Sequence, residues 1–307
     1  MLAKAALIFA TFALGLSSLH AQGGVTCIQK LTTSNNCYRI TRADGSSRGM
    51  VVLLPYYGAD ANEFNSARLP QLLAKQGIAT VVVSAAGYLF DDDLESLHAL
   101  LSQVAQANQI SSGKVIIGGI SAGGTGAARF VERCQIQDCD PIKPVAWFSV
   151  DAPLDFERWW KSQVLNVQRG DPKSHLEESQ AILDVLKMSM GGSPDDARDT
   201  YVKKSPFLAW EKGGGNARLL AKVPVRLYAE PDVVWTIENW RTDYYVSNAV
   251  DQAALILQLL ELGNTQAELI TTTGKGYRPP GVRNPHSWTI VDEDDLAVWI
   301  GKQLGNK

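Results

Sequence analysis

Ser121 sits in Gly119-Ile120-Ser121-Ala122-Gly123, after the β-branched run Val115-Ile116-Ile117 and before a helix-like segment at 127–133. A strand that turns sharply into a helix lifts a serine hydroxyl above a sheet edge, and flanking glycines let the two elements approach closely. As local structure alone, these residues make a glycine-rich turn with an incidental serine. As chemistry, Ser121 is a nucleophile for acyl transfer. Such a hydroxyl reacts when a neighbouring base takes its proton, and that base needs an acid to orient it.

The chain has 4 histidines. His20 lies in an apolar leader, His98 mid-helix, and His175 in a charged stretch that reads as solvated surface. His286, in the loop Arg283-Asn284-Pro285-His286-Ser287-Trp288, is left as the base. The acid is expected at the end of a strand between Ser121 and His286. Asp232 is preferred, because it lies past a turn after the run 224–229 and Pro231 fixes φ within that turn. Glu230, and Asp151 at the end of 144–150, stay open as alternatives. The oxyanion of a tetrahedral intermediate needs backbone N–H donors. Ala122, at the start of the serine helix, offers one; Tyr57, in the loop after 50–54, is expected to offer the second, with Tyr56 as its alternative.

Alternating runs must position these groups. The stretches 50–54, 78–84, 114–118, 144–150, 224–229 and 266–271 are short and apolar, as strands buried on both faces should be. Helical segments fall between them: 69–76, closed by Gly77; 91–109, started by Asp91-Asp92-Asp93 with Leu94, Leu97, Leu101 and Val104 on one face; and a closing helix at 290–304. That rhythm implies an α/β fold with a mostly parallel sheet flanked by helices. It breaks at about 153–222, which is too long for one crossover and reads as a small insertion, a cap, between the sixth and seventh strands.

Residues 1–21 have a short positive start and an apolar core, and read as a signal peptide ahead of a single domain at 22–307 with no membrane span. Cys27 with Cys37, and Cys134 with Cys139, are expected as two local disulfides, which fits a secreted or periplasmic protein. Each contributes about 2–3 kcal/mol by restricting the unfolded chain. A net charge of −3 over 307 residues, with no Lys/Arg-rich run, argues against nucleic acid or an anionic membrane as a main partner. Without paired C-x-x-C motifs, and with few histidines, no metal or cofactor is implied.

With a serine turn, then an acid, then a histidine in that order, the chain resembles the α/β-hydrolase fold family from the 50–54 strand to the closing helix. The resemblance implies Ser121 as nucleophile, Asp232 as acid and His286 as base. The chain departs from many members in having Pro55-Tyr56 where they carry His-Gly, which places Tyr56 and Tyr57 at the site mouth. The function expected is a serine hydrolase acting on a carboxylic ester, small or polymer-linked, through an acyl-enzyme. A serine peptidase of the same fold and a non-catalytic binding module are the alternatives. Trp159, Trp160, Trp235, Trp288, Tyr56, Tyr57 and Tyr88 are candidates for an aromatic pocket, or simply core packing; a feruloyl-type ester is one substrate such a pocket suggests.

Overall fold

The computed structural model describes residues 24–28, 37–84, 89–110, 113–170 and 172–305; the expected leader, with His20, and Tyr88 lie outside them. Among the described residues eight strands form one sheet: β1 (Thr26–Cys27), β2 (Cys37–Thr41), β3 (Met50–Leu54), β4 (Ala79–Val83), β5 (Val115–Ile120), β6 (Pro144–Val150), β7 (Val225–Ala229) and β8 (Ala267–Thr271). Their order across the sheet is β1-β2-β4-β3-β5-β6-β7-β8. The β1–β2 and β2–β4 pairs are antiparallel, and every pair from β4 to β8 is parallel. Every residue of β3, β4 and β5 is buried, so these continuous apolar runs read as they do because both faces of the sheet are covered.

The helices that cover it are α1 (Leu69–Lys75), α2 (Asp91–Ala107), α3 (Ala122–Ile136), α4 (Phe156–Arg169), α5 (Lys173–Met190), α6 (Arg198–Lys204), α7 (Ala217–Leu220), α8 (Val233–Trp240), α9 (Asn248–Glu261) and α10 (Glu293–Gln303). One face of the sheet packs against α2, α3, α7 and α9 through Leu97, Phe130, Leu220 and Leu255. The opposite face packs against α1 and α10 through Leu73 and Ile300. Between β6 and β7 the chain runs through α4 to α7. Its end, α7, places Ala217 and Leu220 in the core beside α3 and α9, so the tail of this long segment belongs to the body of the protein.

Both expected disulfides form. Cys27–Cys37 joins β1 to β2, and Cys134–Cys139 closes the turn after α3. The closing helix differs from its expectation. A 3-10 turn at Trp288–Ile290 comes first, and α10 starts only after Asp292, whose carboxylate accepts from the Asp295 N–H at 3.1 Å. After β8 the chain adds a small hairpin, β9 (Tyr277–Arg278) and β10 (Val282–Arg283), that the sequence pattern did not announce. Among the described residues, no helix is long and apolar enough to cross a membrane.

Candidate active site

Ser121 stands between β5 and α3 with φ 55° and ψ −125°, a left-handed conformation that a side-chain-bearing residue rarely adopts. Its neighbours hold it there. The Ser121 N–H donates to the Val150 carbonyl at the end of β6 (2.9 Å), and its own carbonyl accepts from the Thr125 N–H (3.1 Å). A Cβ on Gly119 or Gly123 would come within 2.2 or 1.9 Å of the Leu54 carbonyl, so the strand and helix meet over the end of β3 only because both positions lack side chains.

His286 lies past β10. Its Nδ1–H donates to Asp151 Oδ2 across 2.6 Å, with His286 and Asp151 side chains 21% and 15% exposed. A carboxylate can only accept, so this bond places the histidine's proton on Nδ1 and leaves a lone pair on Nε2. The histidine's backbone is fixed as well. Its N–H donates to Asn284 Oδ1 (2.9 Å), and its carbonyl accepts from Arg278 Nη2 (2.6 Å) and Tyr56 OH (3.4 Å). The Tyr56 ring meets the imidazole edge-on at 5.7 Å. Burial pushes the Tyr56 phenol up to about 12, against the opposing pull of Arg278.

Asp232, expected beside the histidine, is elsewhere. It caps α8 by accepting from the Trp235 N–H (3.0 Å), and its other oxygen accepts from Arg283 Nη2 (2.7 Å). Glu230 is bound to the same arginine (2.8 Å), to the Lys275 N–H (3.1 Å) and to the Thr272 hydroxyl. The carboxylate on His286 is therefore that of Asp151, the residue after β6. Asp151 too is held in a left-handed backbone conformation (φ 46°), with its N–H on the Tyr228 carbonyl (2.8 Å) and its carbonyl on Asn248 Nδ2 (2.9 Å). The physical reason for the correction is that Asp232 follows a turn into a helix, where capping directs its side chain back at the backbone. The arginine pair, Arg278 and Arg283, was missed; two arginines shortly before a lone loop histidine were the available signal.

Ser121, Asp151, His286, Glu230 and Asp232 all line one cavity of about 280 Å³, whose further walls come from α4, α5 and α8. Ala122 begins α3, and Tyr57 is 63% exposed in a neighbouring groove of about 730 Å³ shared with Tyr56, Tyr277 and Trp288. Arg278 borders both spaces. Of the expected aromatic residues, Trp159 lines the cavity; Trp160 packs against Tyr201, and Trp235 meets Trp240 edge-on at 4.9 Å. Trp240, which had no assigned part, also lines the cavity. His175 is no solvated surface residue. It is 15% exposed, stacks on Trp240 at 5.3 Å with 5° between the rings, and burial lowers its pKa. His98 Nε2–H donates to the Cys139 carbonyl (2.9 Å), away from the cavity.

No protein-family model matches the sequence, and no curated protein matches it. Solved structures do. The chain superposes on the acylaminoacyl peptidase of Pyrococcus horikoshii with a TM-score of 0.56 and 14% identity, over 87% of this chain but only 39% of that one. It superposes on MPT51 of Mycobacterium tuberculosis with a TM-score of 0.54 and 17% identity, over 88% and 93% of the two chains. For an S-formylglutathione hydrolase from Agrobacterium tumefaciens the TM-score is 0.54 and the identity 12%, over 92% and 95%. At such identities the likeness is one of fold.

Proposed function

We propose that this chain, which has the α/β-hydrolase fold, is a serine hydrolase of carboxylic esters with Ser121 as nucleophile, His286 as base and Asp151 as the orienting acid. The reading is carried by the 2.6 Å bond between His286 and Asp151 on the same cavity wall as a serine in a left-handed strand-to-helix turn. His286 Nε2 takes the Ser121 proton as Oγ bonds to the acyl carbon. The resulting imidazolium is stabilised by Asp151, which stays ionised. The Ala122 N–H, at the head of α3, and the Tyr57 N–H, in the loop after β3, stabilise the oxyanion. The alcohol leaves with the proton from His286, and water, activated by the same base, releases the acid. Export to an oxidising compartment fits the two disulfides.

Ser121→Ala is expected to abolish hydrolysis of short p-nitrophenyl esters and to remove labelling by a fluorophosphonate probe, with an unchanged circular dichroism spectrum. Retained ester cleavage in that variant would end the proposal. Aminoacyl-naphthylamides assayed alongside distinguish an esterase from a peptidase.

A further inference from the structure

The part of the cavity walled by α4, α5 and the residues after α8 has chemistry that the serine, histidine and aspartate do not use. Asn166 and Thr242 are 5% and 2% exposed, yet among the described residues Asn166 Oδ1 and Thr242 Oγ1 have no hydrogen-bond partner. His175 Nε2 has none either, and all three residues line the cavity. Buried polar atoms are nearly always paired, so three unpaired ones on side chains that line one space point to a ligand that pairs them as those side chains turn to it.

Their polarity narrows that ligand. Asn166 Nδ2 already donates to Ser179 Oγ (3.2 Å), which leaves its carbonyl oxygen as a pure acceptor. The Thr242 hydroxyl can give and take, and a neutral imidazole offers one N–H or one lone pair. An anion needs donors alone and would face the Asn166 oxygen with Glu178 on the same wall. Hydroxyl groups satisfy both kinds of partner. Trp159 and Trp240 add apolar surface, suited to the C–H faces of a ring that carries those hydroxyls.

We infer that this part of the cavity binds a neutral sugar ring that forms the alcohol half of the ester, a reading that rests on the esterase function proposed above. The bond from Ser121 Oγ to the acyl carbon forms as the bond from that carbon to the sugar oxygen breaks, and His286 returns its proton to that oxygen. The sugar thus leaves as a neutral alcohol. A sugar acid in the same place would leave through its hydroxyl too, but its own carboxylate would stand beside Glu178, which this part of the wall disfavours.

The test uses the whole chain and two readouts. In the first, the ratio of kcat/KM for a monoacetylated methyl hexoside to that for cyclohexyl acetate is expected to exceed about tenfold in the wild type. Thr242→Val and Asn166→Leu are each expected to lower it about tenfold. A wild-type ratio near one, or a ratio that neither variant moves, overturns the inference. In the second, methyl hexosides are titrated into Ser121→Ala and read by tryptophan fluorescence. Saturable quenching, lost in Thr242→Val, supports the subsite; no response, or a response to choline rather than to the hexoside, overturns it. Hexoside binding without any ester cleavage by the wild type leaves the sugar site standing while the hydrolase reading falls.

Discussion

Two adjacent strands, β6 and β7, each lead into a carboxylate at the same end of the sheet, and the two have different partners. Asp151 follows β6 directly and faces His286; Asp232 follows β7 by a Glu-Pro turn and faces Arg283. Both line the cavity, so nearness to the site does not separate them. Backbone attachment does. Asp151 has a left-handed backbone tied on both sides, which aims its side chain out over the sheet edge. Asp232 is the capping residue of α8, and its carboxylate is held by a helix N–H and an arginine before any imidazole can compete. Of two acids at equivalent places, the one that does not cap its own helix is the one bound to the imidazole.

The sharpest way to break this comparison is to neutralise Asp151. Asp151→Asn is expected to lower kcat for a p-nitrophenyl ester by about 10⁴-fold, because the imidazole loses the partner that fixes its tautomer. A loss of that size in Asp232→Asn instead would reverse the assignment. Next, Arg283→Met leaves Glu230, whose side chain is 1% exposed, without its cation. Breaking such a buried pair from one side should cost about 3 kcal/mol of stability, read by urea denaturation. A third test bears on the loop that follows Asp151. Asp155 is pushed up to about 6 by burial and by Asp251 beside it. The folded chain then holds a proton that the unfolded chain releases near pH 4, so stability should fall as pH rises from about 4 to 6, by about 2–3 kcal/mol. Asp155→Asn should flatten that fall in a melting-temperature profile. Smallest, Asp232→Ala should cost about 1 kcal/mol through the lost cap and change kcat less than tenfold.

Much of the scaffold was legible because burial on both faces writes itself into the sequence. The run Met50-Val51-Val52-Leu53-Leu54 has no polar residue, and β3 is buried throughout. The serine turn was legible because Gly119 and Gly123 are needed where chain passes within contact of Leu54. His286 was found by scarcity. Side-chain direction was not legible. That Asp151 and not Asp232 meets the histidine depends on a positive φ and a helix cap, neither of which composition reveals. The inward turn of His175 was hidden for a related reason: its neighbours Lys173 and Glu177 are charged, yet its own ring packs on Trp240, which lies far along the chain beyond β7. Long-range partners of this kind have no local signature.

The placement of Asp151 has a consequence for how this protein can change. The proposed nucleophile, acid and base come from the ends of β5 and β6 and from the loop before α10, while the stretch after β7 supplies Val233, Thr236, Trp240 and Thr242 to the cavity wall. The proposed relay and this part of the wall thus sit on separate pieces of chain. Segment 233–246 can be exchanged, in a laboratory library or by natural drift, without moving a member of the relay, so long as Asp232 and Arg283 keep the segment anchored at its root. New selectivity is then within reach of a single loop graft.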